Sequence, residues 1–286
     1  MNGVQSLIRF FVLLVLAVSA PLIWFFDGAK EHGPYLEVHF LDVGQGDAVF
    51  IETPEGIQVL IDGGRNGAVL DALGDVMSPR DRTIDFVIGT HPDADHVGGL
   101  VDVLERYKVR QLLITENTGE STTAEAYMKA IQEEGASVSY ARTGQQFVLG
   151  ASTTLTVLFP ETSAEAMESN ASSIVLRLTY GDTSVLLTGD SPKRIEEYLV
   201  LTQGEYLQSD VLKVGHHGSR TSTSELFLEE VAPRYAVISA GADNRYGHPH
   251  VEVTDLLFNK RVETLSTAEE GTVTFISDGV TIQPKK

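Results

Sequence analysis

Residues 90–99 read THPDADHVGG, and they bring two histidines and two aspartates within six positions of one another. The segment follows an apolar stretch, residues 86–88, which is typical of a strand end, and it precedes a predicted helix. Pro92 disfavours helical backbone at the residue before it, so we expect the segment to begin as extended chain. Four side chains that can bind divalent cations therefore converge after one strand, and they are enough to begin two adjacent metal sites.

The expected geometry of this segment follows from its backbone. In extended chain, His91, Asp93 and Asp95 point to the same side, because side chains alternate along a strand. His96 is expected to swing round beside Asp95 where the chain enters the helix. A simpler interpretation is a polar turn in which one aspartate caps the helix. That interpretation explains one carboxylate and leaves both histidines and the second carboxylate without a role.

A second cluster, LLTGD at residues 186–190, also follows an apolar strand. The Thr-Gly step places Asp190 just past the strand, where its carboxylate can reach across the sheet ends and bridge two cations. Taken alone, Asp190 is equally typical of a helix cap, because Pro192 suits the start of the next helix. Beside the first cluster, the metal-binding interpretation is the stronger one.

Two further histidine clusters follow later in the chain. Residues 213–219 read KVGHHGS, and adjacent histidines on a glycine-flanked loop face different directions. Either His216 or His217 can then bind metal while the other meets substrate or a carboxylate; a solvent-exposed pair is the alternative. Residues 246–250 read YGHPH at the start of the last predicted helix, where His248 either serves catalysis or packs structurally.

Composition limits the chemistry of the 286-residue chain. It contains no cysteine, which excludes disulfides, thiolate nucleophiles and sulfur-bound metal, so that any metal site must use His, Asp, Glu and backbone groups. The 21 basic and 40 acidic residues give a net charge of −19, which argues against binding nucleic acid by bulk charge. Lys213, Arg220 and Arg245 are candidates for a local positive patch beside the site.

The N-terminal segment predicts a membrane anchor. Residues 1–26 contain one charged side chain, Arg9, and the apolar run within them approaches the roughly 20 residues that span a bilayer. We expect an uncleaved signal anchor with Arg9 on the cytoplasmic side and Trp24 near the far interface. A cleaved signal peptide is the first alternative, although Pro21 after the small residues disfavours cleavage. A buried core helix is the second.

The predicted organisation follows from that anchor. Residues 27–35 are expected to be a linker, and residues 36–286 a single hydrolase domain of alternating strands and helices. The domain is then anchored in the membrane and extracytoplasmic, or secreted if the signal is cleaved. Apolar runs predict eleven strands, and six helices are expected among them, including one at residues 97–107.

The three histidine and aspartate clusters, with YGHPH, FLDVGQGDAVFIETPEG at residues 40–56 and LIDGG at residues 60–64, resemble the metallo-β-lactamase superfamily. More narrowly, they are similar to the extracytoplasmic hydrolase domain of ComEC/Rec2 competence proteins, over roughly residues 36–280. The resemblance implies an α/β fold, the αββα sandwich, with two mixed sheets flanked by helices and preceded here by the hydrophobic N-terminal helix. It also implies a dinuclear metal site at one edge of the two sheets.

The resemblance implies a ligand set for two divalent metal ions. It assigns His91 and Asp93 to the first ion, Asp95, His96 and His217 (with His216 as the alternative) to the second, and Asp190 to a bridging position. The commonest family pattern has histidine where Asp93 stands, and Asn170 occupies the place of a further histidine. Both changes replace imidazole by oxygen donors, which favours Mn²⁺ relative to an all-imidazole zinc site and leaves Zn²⁺ open.

Other residues are expected to support the ligands. Asp62 is a candidate to brace the metal loop by hydrogen bonding, and Ser219 and Lys213 are candidates to contact ligands or substrate. The residues of the first predicted hairpin, Asp42, Gly44, Gly46 and Asp47, are interpreted as turn-forming, with Asp47 also a less secure bracing carboxylate.

The functional hypothesis is metal-dependent hydrolysis, and a phosphodiester is the favoured bond. The resemblance suggests DNA as the substrate. Asp95 is expected to orient the attacking water, and His248 or His216 to assist the leaving group. Small or cell-wall phosphodiesters of the phosphocholine type are alternative substrates, and ester or lactam hydrolysis is an alternative reaction. A surface interaction protein that keeps the fold without activity is the alternative from another class.

Overall fold

Two β-sheets lie face to face in the computed structural model, which describes residues 33–285. Their strands are β1 (Leu36–Phe40), β2 (Val49–Glu52), β3 (Gln58–Ile61), β4 (Thr83–Gly89), β5 (Lys108–Ile114), β6 (Ser137–Tyr140), β7 (Gln146–Val148), β8 (Thr153–Phe159), β9 (Val175–Tyr180), β10 (Thr183–Leu187), β11 (Val211–Lys213), β12 (Tyr235–Ile238), β13 (Glu263–Ser266), β14 (Val273–Ser277) and β15 (Ile282–Pro284). The first sheet has the order β15-β14-β1-β2-β3-β4-β5-β6, and the second β13-β12-β11-β10-β9-β8-β7.

Both sheets are mixed. In the first, β15, β14, β1, β2 and β3 pair antiparallel, whereas β3, β4, β5 and β6 pair parallel. In the second, β7 to β10 pair antiparallel and β10 to β13 pair parallel. Hairpins therefore build one half of each sheet, and crossover connections that run through helices build most of the other half.

Helices cover the outer face of each sheet. They are α1 (Ala68–Val76), α2 (Ala94–Arg106), α3 (Thr122–Glu134), α4 (Lys193–Gln203), α5 (Glu225–Val231), α6 (Val251–Asn259) and the short α7 (Thr267–Glu270). Apolar residues of α1, α2 and α3 pack in one cluster with the first sheet, and those of α4, α5 and α6 pack in another with the second. The layers are therefore helix, sheet, sheet, helix, as expected.

The strands alternate between the two sides of their sheet. Along β2, Val49 and Ile51 belong to the core that joins both sheets, while Phe50 packs beneath the helices. Along β11, Val211 faces the inner core and Leu212 faces the helices. This two-sided burial explains why the inner strands are continuous apolar runs rather than alternating patterns.

All eleven predicted strands are present, with every bound within two residues of the predicted one. The four strands that were not expected, β6, β7, β13 and β15, are the four edge strands, and each has only three or four residues. The short helix α7 was also not expected. Edge strands bury less apolar surface, so their sequences lack the signal that marks the inner strands.

The predicted start of α2 at residue 97 was wrong, because the helix begins at Ala94. Asp93 is its N-cap residue, and the Asp93 carbonyl accepts hydrogen bonds from the backbone N–H groups of His96 and Val97. Asp95 therefore lies in the first helical turn rather than in extended chain.

The predicted N-terminal hydrophobic helix lies outside the described residues, and the predicted domain boundaries stay predictions. Among residues 33–285, no helix is long and apolar enough to cross a membrane.

Candidate metal centre

The expected ligands come together where strands from both sheets end. Segment 90–96 follows β4 of the first sheet, whereas Asp190 and His217 follow the neighbouring strands β10 and β11 of the second. The turn before Asp190 needs glycine, since Gly189 has φ +50° and a Cβ there would lie 3.1 Å from the Ser173 side chain. Ends of parallel strands are common positions for sites in open sheets, because their loops meet at one edge.

Asp190 lies at the middle of the cluster. Its Oδ1 is 3.3 Å from His96 Nε2, and its Oδ2 is 3.9 Å from His91 Nε2. The same Oδ2 is 3.5 Å from His216 Nε2 and 3.6 Å from His217 Nε2. One buried carboxylate therefore faces four imidazole nitrogens at distances of at most 3.9 Å.

The atoms that point into this space fit a divalent cation. Among the described residues, the buried Nε2 atoms of His91, His96 and His217 and the Oδ1 atom of Asp190 have no hydrogen-bond partner. Leaving buried polar atoms unpaired costs free energy. Imidazole nitrogens and carboxylate oxygens that converge on one point are typical ligands of divalent metal ions. Three groups of three residues among those described offer ligand atoms within 4.8 Å of one another. They are His91, His96 and Asp190; Asp47, Asp62 and His96; and Asp47, Asp190 and His217.

Asp62 holds His96 from behind. Its Oδ2 is 2.8 Å from His96 Nδ1, and its carboxylate also accepts hydrogen bonds from the Thr90 backbone N–H and hydroxyl, at 2.8 and 2.7 Å. A carboxylate on Nδ1 fixes the ring orientation and leaves Nε2 free to bind a cation. The structure thus places Asp62 where a bracing residue is needed.

The structure corrects the interpretation of Asp47 as a turn-forming residue. Its side chain is buried, contacts the Lys213 ammonium directly, and lies 3.1 Å from His217 Nδ1. His217 Nδ1 is also 2.9 Å from the Ser239 carbonyl oxygen. Asp42 does form a turn, because its Oδ1 accepts a hydrogen bond from the Gly44 N–H at 3.0 Å.

The expectation that Lys213 contributes to a positive patch was wrong as well. Lys213 is only 1% exposed, because it shares the strand face of Val211, which lies between the two sheets. There its ammonium meets Asp47, which lies on the loop between β1 and β2 of the first sheet. Lys213 and Asp47 therefore connect the two sheets directly behind His217.

Asp93 and Asp95 lie on the open side of the cluster. Asp93 occupies the N-cap position of α2 but makes no capping hydrogen bond through its carboxylate. Its Oδ2 is 3.7 Å from His91 Nε2, and its Oδ1 accepts a hydrogen bond from the Ser169 hydroxyl. Asp95 Oδ2 is 3.8 Å from His217 Nε2. Both carboxylates therefore face histidines and not the helix end.

Arg65 is a site residue that the sequence interpretation missed. Its Nη2 is 3.9 Å from Asp95 Oδ2, and the side chain is 45% exposed. The available signal was its position, three residues after Asp62 on the loop that follows β3. We define the rim of the site as Asp95 with Arg65 and Arg245, which precedes Tyr246 on the loop between β12 and α6. The Tyr246 hydroxyl and, to a lesser degree, the charge of Asp95 raise the pKa of Arg245.

The paired histidines face different directions, as expected. His216 and His217 both have left-handed backbone, with φ of 50° and 53°, and their ring planes lie at 74° to each other. Such backbone is uncommon for residues other than glycine and tends to be retained where a site needs it. His217 is buried, whereas the side chain of His216 is 25% exposed.

Neighbouring polar residues support this loop. Asn170 Nδ2 is 3.5 Å from His216 Nδ1, so Asn170 lies beside a candidate ligand. Ser219 contacts the hydroxyl of Thr221 at 2.9 Å, and that hydroxyl lies 3.1 Å from His216 Nδ1. Ser219 therefore contributes to the loop and reaches His216 through Thr221. The ring centroid of His248 is 5.5 Å from that of His216.

Burial and charge set the protonation of the innermost groups. Burial and the neighbouring charge of His96 lower the pKa of His91 to about 4. Burial alone would lower the pKa of His96, but the carboxylates of Asp190 and Asp62 outweigh it and raise that pKa well above its usual range. Burial alone would raise the pKa of Asp190, but His96 and His217 outweigh it and hold that pKa well below its usual range. The anionic carboxylates thus favour positive charge at this position.

Burial and neighbouring charges also set the protonation of the groups around this inner cluster. Burial would raise the pKa of Asp47, but Lys213 and His217 hold it below its usual range, so the carboxylate stays ionised. Burial lowers the pKa of His216. Burial, with the charges of His216 and His217, lowers the pKa of His248 to about 4, so that ring is neutral at neutral pH.

Residues 41–242 match the family model described as the metallo-beta-lactamase superfamily. The chain belongs to that superfamily. Membership agrees with the αββα layers and with the position of the His and Asp cluster at one edge of the sheets. It also confirms the family resemblance carried by the sequence motifs.

Two curated relatives extend the comparison. The chain is 35% identical over 256 residues to ComE operon protein 3 of Bacillus subtilis and 30% identical over 256 residues to Recombination protein 2 of Haemophilus influenzae. These matches cover 84% and 87% of this chain but 33% and 30% of the relatives, so the chain spans about a third of their length. The narrower resemblance to ComEC/Rec2 competence-type proteins is thereby confirmed.

A solved structure supports the fold. The metallo-beta-lactamase fold protein YhfI of Bacillus subtilis aligns with a TM-score of 0.55 at 14% identity, covering 85% of this chain and all of that protein. At this identity the likeness concerns the fold alone, and the function must be argued from the site.

Proposed function

We propose that the chain is a metal-dependent phosphodiesterase with two divalent cations, Zn²⁺ or Mn²⁺, at the edge of the sandwich. The observation that carries the proposal is the cluster around Asp190, in which four imidazole nitrogens lie at most 3.9 Å from one buried carboxylate. Three buried imidazole nitrogens and one buried carboxylate oxygen of this cluster have no hydrogen-bond partner among the described residues, which supports their role as metal ligands.

Each proposed ligand has a neighbour that suits its role. His91 and Asp93 would hold the first cation, since their donor atoms lie 3.7 Å apart on the open side. Asp95, His96 and His217 would hold the second, and Asp190 lies between the two groups. His216 also faces Asp190, but it is partly exposed and is therefore better placed to meet substrate.

The chain's own residues divide the remaining work. Two divalent cations, when bound, activate water at neutral pH and stabilise negative charge on a phosphoryl oxygen. Asp95 would orient the attacking water, because this rim residue contacts both the exposed Arg65 and the proposed ligand His217. His216 and His248 have lowered pKa values and are neutral, so they would donate N–H hydrogen bonds to the leaving oxygen rather than a full proton.

DNA is the substrate that we propose, acted on outside the cytoplasm by a chain anchored through its N-terminal segment. The likeness to Recombination protein 2 and to competence-type relatives supports a nucleic acid. Arg65 at the rim would contact a phosphate that flanks the cleaved bond. The net charge of −19 limits such contacts to the rim, because the rest of the surface repels a polyanion.

A substrate panel tests this function. Full-length chain, stripped of metal and then loaded with Mn²⁺ or Zn²⁺, is assayed on single-stranded DNA, duplex DNA, a choline phosphodiester and a lactam. We expect hydrolysis of DNA that chelation abolishes and added metal restores. Hydrolysis of the choline phosphodiester without DNA hydrolysis would move the substrate to small phosphodiesters. Lactam turnover alone, or DNA turnover that chelation does not change, would overturn the proposal.

A further inference from the structure

One wall of the site is the loop between β12 and α6, and a single side chain holds it. Asn244 Nδ2 donates to the carbonyl oxygens of Gly241 and His248, at 2.8 and 2.6 Å. Asn244 Oδ1 accepts from the backbone N–H groups of Tyr246 and His248, at 3.2 and 2.9 Å. Four hydrogen bonds from one amide make the loop preorganised, so the side chains that it presents have little freedom left to lose on binding.

This loop presents flat groups that extend away from the candidate metal centre. The ring of His248 meets that of His216 edge to face, with centroids 5.5 Å apart and 75° between the planes. The ring of Tyr246 stacks on that of His248 at 5.7 Å with only 22° between the planes. The guanidinium carbon of Arg245 lies 5.1 Å from the Tyr246 ring centroid, and its Nη2 donates to the Tyr246 hydroxyl at 3.1 Å. Tyr246 is 42% exposed, although it is a large ring beside a charged site.

We propose that Arg245, Tyr246 and His248 form a stacking platform for an unpaired nucleobase, next to the phosphodiester that is hydrolysed. Tyrosine rings and guanidinium planes are the groups on which proteins stack unpaired bases, and stacking tolerates any base sequence. The platform lies beside His216, which faces Asp190 at 3.5 Å, so a base held there would have its own phosphate near the centre. This inference rests on the proposed phosphodiesterase function and names the part of the substrate that the loop recognises.

Charge favours a stacking contact over a backbone contact at this position. The chain carries a net charge of −19, which disfavours binding a polyanion by its phosphates over a long surface. Arg220, on the loop after β11, lies 4.0 Å from Glu252 at the start of α6 and is therefore partly neutralised. Affinity for a strand must then come mainly from groups that do not need positive charge, and the exposed faces of the platform are such groups.

The platform also predicts a preference between forms of DNA. In a duplex, both faces of each base are covered by its neighbours, so a base can reach Tyr246 only from a single strand or a frayed end. We therefore expect a single strand to be bound more tightly than a duplex of the same length.

The test compares a strand that has bases with one that lacks them. Full-length, metal-loaded Tyr246→Ala and Tyr246→Phe are measured against the unmodified chain for binding by fluorescence anisotropy and for kcat/KM. The probes are a single-stranded oligonucleotide and an abasic strand of the same length. Tyr206→Ala is the matched control, because Tyr206 is 44% exposed and has Arg177 over its ring at 4.9 Å.

We expect Tyr246→Ala to weaken binding of the oligonucleotide by about 5- to 150-fold, the range for one stacked base. Tyr246→Phe keeps the ring and should recover most of that affinity, while the abasic strand should bind the unmodified chain and Tyr246→Ala equally. Equal losses on both strands, or no loss on either, would overturn the platform. Because binding is read without turnover, a chain that binds bases through Tyr246 but hydrolyses neither strand would instead contradict the phosphodiesterase function.

Discussion

Replacing Asp190 by asparagine is expected to lower kcat/KM for a DNA phosphodiester by more than about 100-fold. Substitution of a residue that only orients metal ligands typically lowers metal affinity or activity about 10- to 100-fold. Asp190 is itself a proposed ligand, so a larger loss is expected. Asparagine keeps the size and one oxygen, but it removes the charge that faces four imidazole nitrogens within 3.9 Å. Steady-state kinetics with saturating metal, together with metal analysis of the same preparation, give the measurement.

The matched control for this variant is Asp182→Asn, which removes an exposed carboxylate from the hairpin that joins β9 and β10. Asp182→Asn should keep the activity and the metal content of the unmodified chain. Unchanged turnover by Asp190→Asn would contradict the assignment of the bridging role. A proportional loss in both variants would indicate a general effect of lost charge and would contradict it too.

The second large effect is expected on stability. Lys213→Met should lower the free energy of unfolding by about 3–5 kcal/mol, because it leaves the buried Asp47 carboxylate without its cationic partner. Both side chains are almost fully buried, one on β11 and the other on the loop between β1 and β2, so water cannot replace the lost contact. Urea unfolding, followed by circular dichroism, provides the measurement.

Two further variants sharpen this test. Lys129→Met removes one partner of an exposed pair on α3, where the Lys129 and Glu133 charges lie 3.5 Å apart, and should change the stability by less than about 1 kcal/mol. Lys213→Met combined with Asp47→Asn should regain part of the loss, since no uncompensated charge then stays buried. A Lys213→Met chain as stable as Lys129→Met would show that the buried pair does not connect the sheets as described.

The sequence predicted the inner strands and the meeting of the three clusters for a simple physical reason. Inner strands are buried on both faces and are therefore uniformly apolar, and the polar residues after them meet because their strands end at one edge. The αββα layers could thus be predicted from the local sequence pattern and the family resemblance together. The edge strands were not, since they are short and largely exposed and resemble loops.

The supporting residues of the site were harder to predict. Asp47 and Lys213 are 166 positions apart in sequence, and only the packing of one sheet on the other reveals that they pair. A turn-forming role for Asp47 and an exposed role for Lys213 were the natural local interpretations, and both were wrong. The less secure interpretation of Asp47 as a bracing carboxylate agrees with its position 3.1 Å from His217 Nδ1. Arg65 was missed because its contact with Asp95 depends on how two loops approach each other.

Metal stoichiometry shows most directly whether the cluster around Asp190 binds two divalent cations. Full-length chain is stripped with a chelator, dialysed against Mn²⁺ or Zn²⁺, and analysed for metal and protein in the same sample. We expect two bound cations per chain and clearly fewer in Asp190→Asn. Less than one cation per chain after loading, with either metal, would contradict this assignment.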